Sequence, residues 1–102
     1  MNNVEINKVS SNNEVAHKIL IEKLKWRSRR SMLELDVYFD RFLKTGALEH
    51  LNAGELLVYD EIVNLEDENL LSLLQGRERF VDEVLQEIID KIRLSPVSHT
   101  TH

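Results

Sequence analysis

The chain has 102 residues, of which 30% are charged and 42% hydrophobic, and its formal net charge is −5. This length suits one domain with a modest core, and the apolar content is too high for a disordered chain. The absence of cysteine excludes disulfides, cysteine-ligated metals and a thiol nucleophile, and the acidic balance disfavours nucleic-acid binding. With only three glycines and one proline, the sequence favours an all-α fold.

The N-terminal part of the chain has no apolar signal core, and no apolar run is long enough to span a bilayer. We therefore expect a cytoplasmic protein without membrane insertion, in which residues 1–11 form a flexible arm. Ser11 and Glu14 have capping-box spacing, which predicts that the first helix begins at Ser11 or Asn12. Apolar residues then recur at helical spacing until Trp26: Ala16, Ile19, Leu20, Leu24 and, less regularly, Ile21.

The polar stretch 27–30 predicts a break, and a second capping-box pattern follows at Ser31 and Glu34. The helix after it has one apolar stripe, made of Leu35, Tyr38, Phe39, Phe42 and Leu43. Gly46 stands where a residue in the left-handed conformation would end this helix, and 47–51 is predicted to be a loop.

Three further helix starts and stops are visible in the second half of the chain. Asn52 and Glu55 predict a third helix, with the apolar stripe Leu56, Tyr59, Ile62 and Val63. Asp67 is predicted to cap a short fourth helix that ends at Gly76 and carries Leu70, Leu71, Leu73 and Leu74. The last helix is predicted at 78–94, with the stripe Phe80, Val81, Val84, Leu85, Ile88, Ile89 and Ile92. The sequence thus predicts a compact single-domain bundle of five helices at 12–94, followed by a flexible tail at 95–102.

Motifs for catalysis or for cofactor and metal binding are not found in the sequence. It has no glycine-rich phosphate loop, no zinc-protease motif and no nucleophile elbow. His99 and His102 have H-x-x-H spacing, but a zinc site would need further ligands on an ordered backbone. The acidic stretch at 60–68 lacks the ligand alternation of a calcium loop. We therefore expect no catalytic residue, no metal site and no cofactor held stably by this chain.

The segment 26–36 is the strongest candidate for a binding site. It contains the only tryptophan, Trp26, together with three arginines and the carboxylate of Glu34. Exposed tryptophan and arginine are enriched at binding hot spots. The alternative is that Trp26 packs in the core while Arg30 and Glu34 form a surface ion pair at i,i+4 spacing. Composition alone leaves these two interpretations level.

The stretch Arg29-Arg30-Ser31-Met32-Leu33-Glu34-Leu35-Asp36 resembles the R-R-G-[MI]-x-E-x-D motif of the succinate dehydrogenase assembly factors. In that family an aromatic residue precedes the basic pair, as Trp26 does here. Residues 67–74 are similar, more loosely, to a later family motif, with Leu73 in place of its tryptophan. The resemblance is good from about residue 23 to 42 and weaker beyond.

Ser31 replaces the motif glycine. A serine is suitable if the position needs only the geometry of an N-cap. If the glycine has a positive φ or allows a partner's backbone to approach closely, serine costs about 1 kcal/mol or blocks the contact.

The resemblance implies a monomeric five-helix chaperone that binds the flavoprotein subunit of succinate dehydrogenase or fumarate reductase. It would promote covalent attachment of FAD, the cofactor of that client, without catalytic residues of its own. Arg30 would bind an anionic group, and Glu34 would act as hydrogen-bond acceptor or helix cap. Trp26 and Arg29 would flank these two residues on the same surface. The implied partner-binding residues are Trp26, Arg29, Arg30, Ser31, Glu34 and Asp36.

Two other functions are compatible with the sequence. An antitoxin-like or regulatory interaction protein would bind a different partner and have no role in flavinylation. A flavin transferase using Arg30 and Glu34 directly is less attractive, because so small a domain without a phosphate loop has little means of enclosing FAD.

Overall fold

The computed structural model describes the backbone of residues 2–96 and the side chains of residues 14–96. Over this range the chain forms five α-helices and one 3₁₀ turn, and it contains no strand. The elements are α1 (Asn2–Ser28), α2 (Leu33–Lys44), the 3₁₀ turn (Ala47–His50), α3 (Ala53–Val63), α4 (Asp67–Leu74) and α5 (Glu83–Arg93). The predicted all-α bundle of five helices is confirmed. None of the helices in the described part of the chain is long and apolar enough to cross a membrane.

The core lies between α2, α3 and α5, with α4 packed against α2 and α5 and α1 resting on α2 and α3. At its centre are three fully buried aromatic residues from α2 and α3. Phe42 stacks on Tyr59 with ring centroids 5.5 Å apart, and Phe39 meets Tyr59 edge-on at 6.4 Å. The predicted stripe of α3 is buried as expected, and so are Ile88, Ile89 and Ile92 of α5.

The beginning of α1 differs from the prediction, because the helix starts at Asn2 and not at Ser11 or Asn12. A capping-box pattern does not stop a helix that already runs into it, and no glycine or proline precedes Gly46. The flexibility of residues 1–11, and hence the boundary of the domain, stays a prediction.

The face of α1 that packs on the bundle also differs from the prediction. Ile21 and Leu24 are buried, whereas Ile19 is 52% exposed. The helix continues past Trp26 to Ser28, whose hydroxyl donates to the Leu24 carbonyl at 2.6 Å and also bonds with the Tyr59 hydroxyl. These contacts hold the end of α1, and the helix ends inside the stretch 27–30, where the break was predicted.

The capping box predicted at Ser31 and Glu34 is wrong. Helix α2 begins at Leu33, its N-cap is Met32, and no side chain caps it. The carboxylate of Asp36 instead accepts a hydrogen bond from the backbone N–H of Arg30 at 2.9 Å. The chain therefore turns before the helix begins, and Ser31 lies in this turn.

The start of α3 agrees with the prediction. The Asn52 side chain accepts from the Glu55 backbone N–H at 2.8 Å, and the Glu55 carboxylate accepts from the Asn52 N–H at 2.9 Å. Gly46 has φ 77° and follows the last turn of α2 as predicted. The predicted loop after it contains a 3₁₀ turn over four of its five residues.

The last two helices begin at other residues than predicted: α4 begins one residue earlier, and α5 begins five residues later. The N-cap of α4 is Glu66 and not Asp67, which lies inside the helix. Helix α5 begins at Glu83 and not at 78, because Asp82 accepts from two backbone N–H groups of its first turn at 2.8 and 3.1 Å. Phe80 therefore packs on the core from a loop, and Val81 is fully exposed. Residues 97–102, most of the predicted tail with His99 and His102, lie outside the described range.

Candidate functional site

The candidate site is built on the turn between α1 and α2, at residues 29–32. Asp36 closes this turn from α2, because its second carboxylate oxygen accepts from the Arg29 guanidinium at 2.8 Å. Arg29 also reaches Asp40 at 3.3 Å. Lys44, and to a smaller extent Arg29, hold the pKa of Asp40 below its usual value through hydrogen bonds and charge.

Arg30 points into the molecule. Its side chain is only 17% exposed and donates to the backbone carbonyl of Val63 at the end of α3. One guanidinium nitrogen lies 3.6 Å from the carboxylate of Asp67, and the group stands 5.8 Å from the centre of the Phe39 ring. Arg30 thus ties the turn to α2, α3 and α4.

Four exposed side chains of the segment form no ion pair with a described residue, those of Trp26, Ser31, Leu33 and Glu34, and we call them the exposed motif residues. Arg27 and Arg29 are exposed as well, but Arg27 pairs with Asp60 and Arg29 with Asp36 and Asp40. Trp26 is 80% and Leu33 74% exposed, and Ser31 and Glu34 are exposed as well. The alternative in which Trp26 packs in the core is therefore wrong. The surface ion pair of Arg30 with Glu34 is wrong as well, because the Arg30 guanidinium faces the carboxylate of Asp67.

The six residues predicted from the sequence fall into two groups in the structure. Trp26, Ser31 and Glu34 are exposed and available to a partner. Asp36 and Arg30 are engaged within the fold, and Arg29 is held by two carboxylates while remaining 53% exposed. The first group can contact another protein, and the second fixes the shape of the turn.

Ser31 has a negative φ, since no residue other than glycine has a positive φ in the described part of the chain. The turn therefore imposes no left-handed conformation at this position, and serine fits it without backbone strain.

Leu33 was missed as a site residue in the sequence, although it lies inside the motif. With Arg29, Asp36 and Val37, among others, it lines a shallow depression of about 430 Å³ on α2. The sequence contains a signal for it, because Leu33 falls outside the apolar stripe that begins at Leu35. Leu33 and Val37 are both exposed, so the depression has apolar surface beside a charged turn.

The arrangement of the exposed motif residues suits binding more than catalysis. An indole, an aliphatic side chain, a hydroxyl and a carboxylate lie within nine positions of the chain. None of these four side chains forms a hydrogen bond with another described side chain. Within residues 14–96, no group of three or more potential metal ligands comes together. The exposed motif residues therefore provide a contact surface with apolar and hydrogen-bonding groups.

Comparison with protein families gives one match that covers most of the chain. The family model described as "Flavinator of succinate dehydrogenase" matches residues 22–95, which include the whole candidate site. The comparison with solved structures gives no match.

Three similar proteins are 34% to 38% identical to this chain over the aligned residues. The FAD assembly factor SdhE of Xylella fastidiosa (strain 9a5c) is 38% identical over 76 residues, which are 74% of this chain and 77% of that protein. Its namesake in Legionella pneumophila (strain Lens) is 35% identical over 71 residues, or 70% of this chain and 87% of its own length. The one in Idiomarina loihiensis is 34% identical over 67 residues, 66% and 73% of the two chains. The chain therefore belongs to the FAD assembly factor family, the flavinators of succinate dehydrogenase.

Proposed function

We propose that this chain is an assembly factor that binds the flavoprotein subunit of succinate dehydrogenase, or of fumarate reductase, and promotes its covalent attachment of FAD. Membership of the family supports this function, as do the names of the relatives. The structural observation that carries it is the turn at 29–32. Arg30 fixes this turn through its bond to the Val63 carbonyl, while the exposed motif residues lie at the surface.

The factor acts by binding. The attachment chemistry belongs to the flavoprotein and its own FAD: a methyl group of the isoalloxazine loses a proton, and a histidine of the flavoprotein then attacks the resulting methide carbon. The flavin is left reduced by two electrons, which pass to the electron acceptor of the client. The factor holds the client in the conformation in which this attack is possible, and it shifts that equilibrium only as far as its affinities for the two conformations differ. No nucleophile of this chain takes part, and FAD remains the client's cofactor.

The site residues have two roles in this proposal. Trp26, Ser31 and Glu34 contact the flavoprotein, and Leu33 joins them as an apolar contact. Arg29, Arg30 and Asp36 belong to the same site but act mainly by positioning, because their polar groups are engaged within the fold. Arg30 in particular is a positioning residue in place of the anion-binding group that the motif alone suggested.

We further expect the factor to work as a monomer in the bacterial cytoplasm, without nucleic acid. A monomer leaves the exposed motif residues available to the client.

A flavinylation assay with purified components tests the proposal. Apo-flavoprotein and FAD are mixed with the factor, and covalent flavin is read as fluorescence of the denatured flavoprotein on a gel. We expect the double variant Trp26→Ala, Glu34→Ala to slow the reaction by a factor of at least about ten, since contacts of this kind are each worth roughly 1 kcal/mol or more.

Glu61→Ala is the matched control, because Glu61 is an exposed carboxylate on α3 outside the site. All three substituted side chains are exposed, so each variant should unfold within about 0.5 kcal/mol of the wild type. If the folded double variant supported flavinylation at the wild-type rate, the proposed surface would be wrong.

A further inference from the structure

The outward face of α1 carries an apolar stripe that the bundle does not cover. Val15, Ile19 and Trp26 are 55%, 52% and 80% exposed. Because an α-helix turns by about 100° per residue, these positions share one side of the helix, opposite the buried Ile21 and Leu24. Helix α1 is thus apolar on two faces, and only one of them packs on the bundle.

Two members of the stripe, Ile19 and Trp26, form the floor of a shallow groove, which we call the α1 groove. It has a volume of about 440 Å³ and is lined by Lys18, Ile19, Glu22, Lys23, Trp26 and Arg27. Ile19 and the Trp26 indole supply its apolar surface. By helical geometry, Lys18 and Lys23 stand on its two sides.

The free charge of the groove is positive. Glu22 lies 3.4 Å from Lys25, and Arg27 pairs with Asp60 on α3. Lys18 and Lys23 form no ion pair with any side chain in residues 14–96. On a chain of net charge −5, two unpaired ammonium groups beside an apolar floor favour a partner with carboxylates.

We propose that the α1 groove is a second docking surface, occupied by a carboxylate-bearing segment of the flavoprotein client that also presents apolar side chains. This inference rests on the proposed function. The groove is continuous with the site because Trp26 belongs to both. Lys18 and Ile19 precede residue 22, where the family match begins, so two of the six lining residues are additional to the matched region.

A second copy of this chain is a poorer occupant. Three exposed apolar side chains provide far less than the roughly 800 Å² per partner that a stable interface buries. As an extension of the surface around Trp26, the same side chains enlarge one interface with the client.

A label on the groove tests the contact directly. The chain has no cysteine, so Ile19→Cys creates a unique attachment site for an environment-sensitive fluorophore such as bimane. On addition of purified flavoprotein subunit we expect a blue shift of the label. The matched control is Val81→Cys, which is fully exposed in the loop before α5 and should show no shift.

Charge reversal tests the chemistry of the occupant. We expect the double variant Lys18→Glu, Lys23→Glu to bind the flavoprotein about tenfold more weakly, by titration at low salt, since each reversal replaces an attraction with a repulsion. The control Arg77→Glu, Arg79→Glu changes the net charge equally on exposed residues between α4 and α5 and should leave the affinity unchanged.

The outcomes separate this inference from the proposed function. If the flavoprotein binds the factor but neither shifts the label nor responds to the lysine reversal, the second surface is wrong and the proposed function stands. If the flavoprotein does not bind at all, both are wrong. A label shift that appears only with increasing concentration of the factor, or only with phosphatidylglycerol vesicles, would overturn the inference in favour of self-association or a membrane.

Discussion

Arg30 shows how one residue can belong to a binding motif and yet act from inside the fold. Its guanidinium contacts the Val63 carbonyl, the Asp67 carboxylate and the face of Phe39, and its Nε is buried without a hydrogen-bond partner among the described residues. A mostly buried cation with several partners leaves those groups unsatisfied when it is removed. The residue is therefore more important for the shape of the turn than for direct contact with a client.

We predict that Arg30→Ala lowers the free energy of unfolding by about 2–3 kcal/mol, through loss of charged hydrogen bonds in a partly buried place. Arg29→Ala is the control in the same turn, because Arg29 is 53% exposed and its surface ion pairs contribute less than about 1 kcal/mol. Urea unfolding measures both. Equal stabilities of the two variants would contradict the inward role of Arg30.

Tyr59 is the second residue whose environment sets a measurable property. Burial raises its pKa from the ordinary 10.0 to about 12, and the hydrogen bond with Ser28 offsets only part of this effect. Because the folded state disfavours the phenolate, Tyr59 contributes stability that is fully present below pH 10.0 and is lost as the pH rises toward about 12.

We predict that the free energy of unfolding falls between pH 10 and pH 12 and that Tyr59→Phe removes part of this fall. Urea unfolding across this range measures the effect, and the ultraviolet absorbance of tyrosinate follows the ionisation itself. An identical alkaline loss in Tyr59→Phe would contradict this origin.

At the scale of elements, helix starts were predictable where a local cap had no competitor. Asn52 and Glu55 form the box that their spacing indicated. Ser31 and Glu34 have the same spacing but form none, because Asp36 accepts from the Arg30 N–H and the turn extends to Met32. A capping pattern indicates what a segment can do, whereas contacts from further along the chain decide whether it does.

The start of α5 shows a related error. Phe80 and Val81 continue the helical periodicity backwards, so the pattern alone extends the helix to 78. Asp82 supplies a strong cap at a later position, and the buried Gln86 side chain accepts from the Phe80 N–H at 2.8 Å. The Asp82 carboxylate satisfies two N–H groups of the first turn of α5, and the Gln86 side chain satisfies the N–H of Phe80 outside the helix.

We predict that Asn52→Ala destabilises the protein by about 1 kcal/mol through loss of the N-cap. Asn69→Ala, at an exposed position within α4, should change stability little. Urea unfolding of the two variants measures the difference, and similar stabilities would contradict an energetic role of the capping box.

The same box gives an acid dependence. The Asn52 N–H, and then Lys91, lower the pKa of Glu55 from its ordinary 4.5. The contribution of the Glu55 carboxylate to the free energy of unfolding is therefore fully present above pH 4.5, and it is lost as the pH falls through the lowered pKa. The stability difference between the wild type and Glu55→Ala should narrow over that range, and a constant difference would contradict this contribution.

At the scale of the whole molecule, the fold class and most of the core could be predicted because they follow from local periodicity. The stripe of α3 and the three isoleucines of α5 are buried as their spacing indicated, and so are Leu35, Phe39 and Phe42 of α2. The other two members of the α2 stripe, Tyr38 and Leu43, are partly buried against the core. The candidate site was predictable as a segment but not in its detail. Arg30 finds its partner 33 positions away in the sequence, and no local pattern reports a contact of that range.

Helix α1 shows the same limit. Ile19 and Leu24 are both compatible with helical spacing, but only packing on α2 and α3 decides that Leu24 is buried and Ile19 exposed. The sequence therefore predicted that α1 would have an apolar face without showing that it has two.

The central claim is that this chain, through the exposed motif residues, brings about covalent attachment of FAD to the flavoprotein subunit. Intact mass spectrometry of that subunit tests it most directly, with the subunit purified from a strain that lacks this chain and from the same strain carrying the wild type or the Trp26→Ala, Glu34→Ala variant. We predict that the mass of covalent FAD is present with the wild-type chain and largely missing in the other two. Full flavinylation in the strain that lacks the chain would contradict the claim.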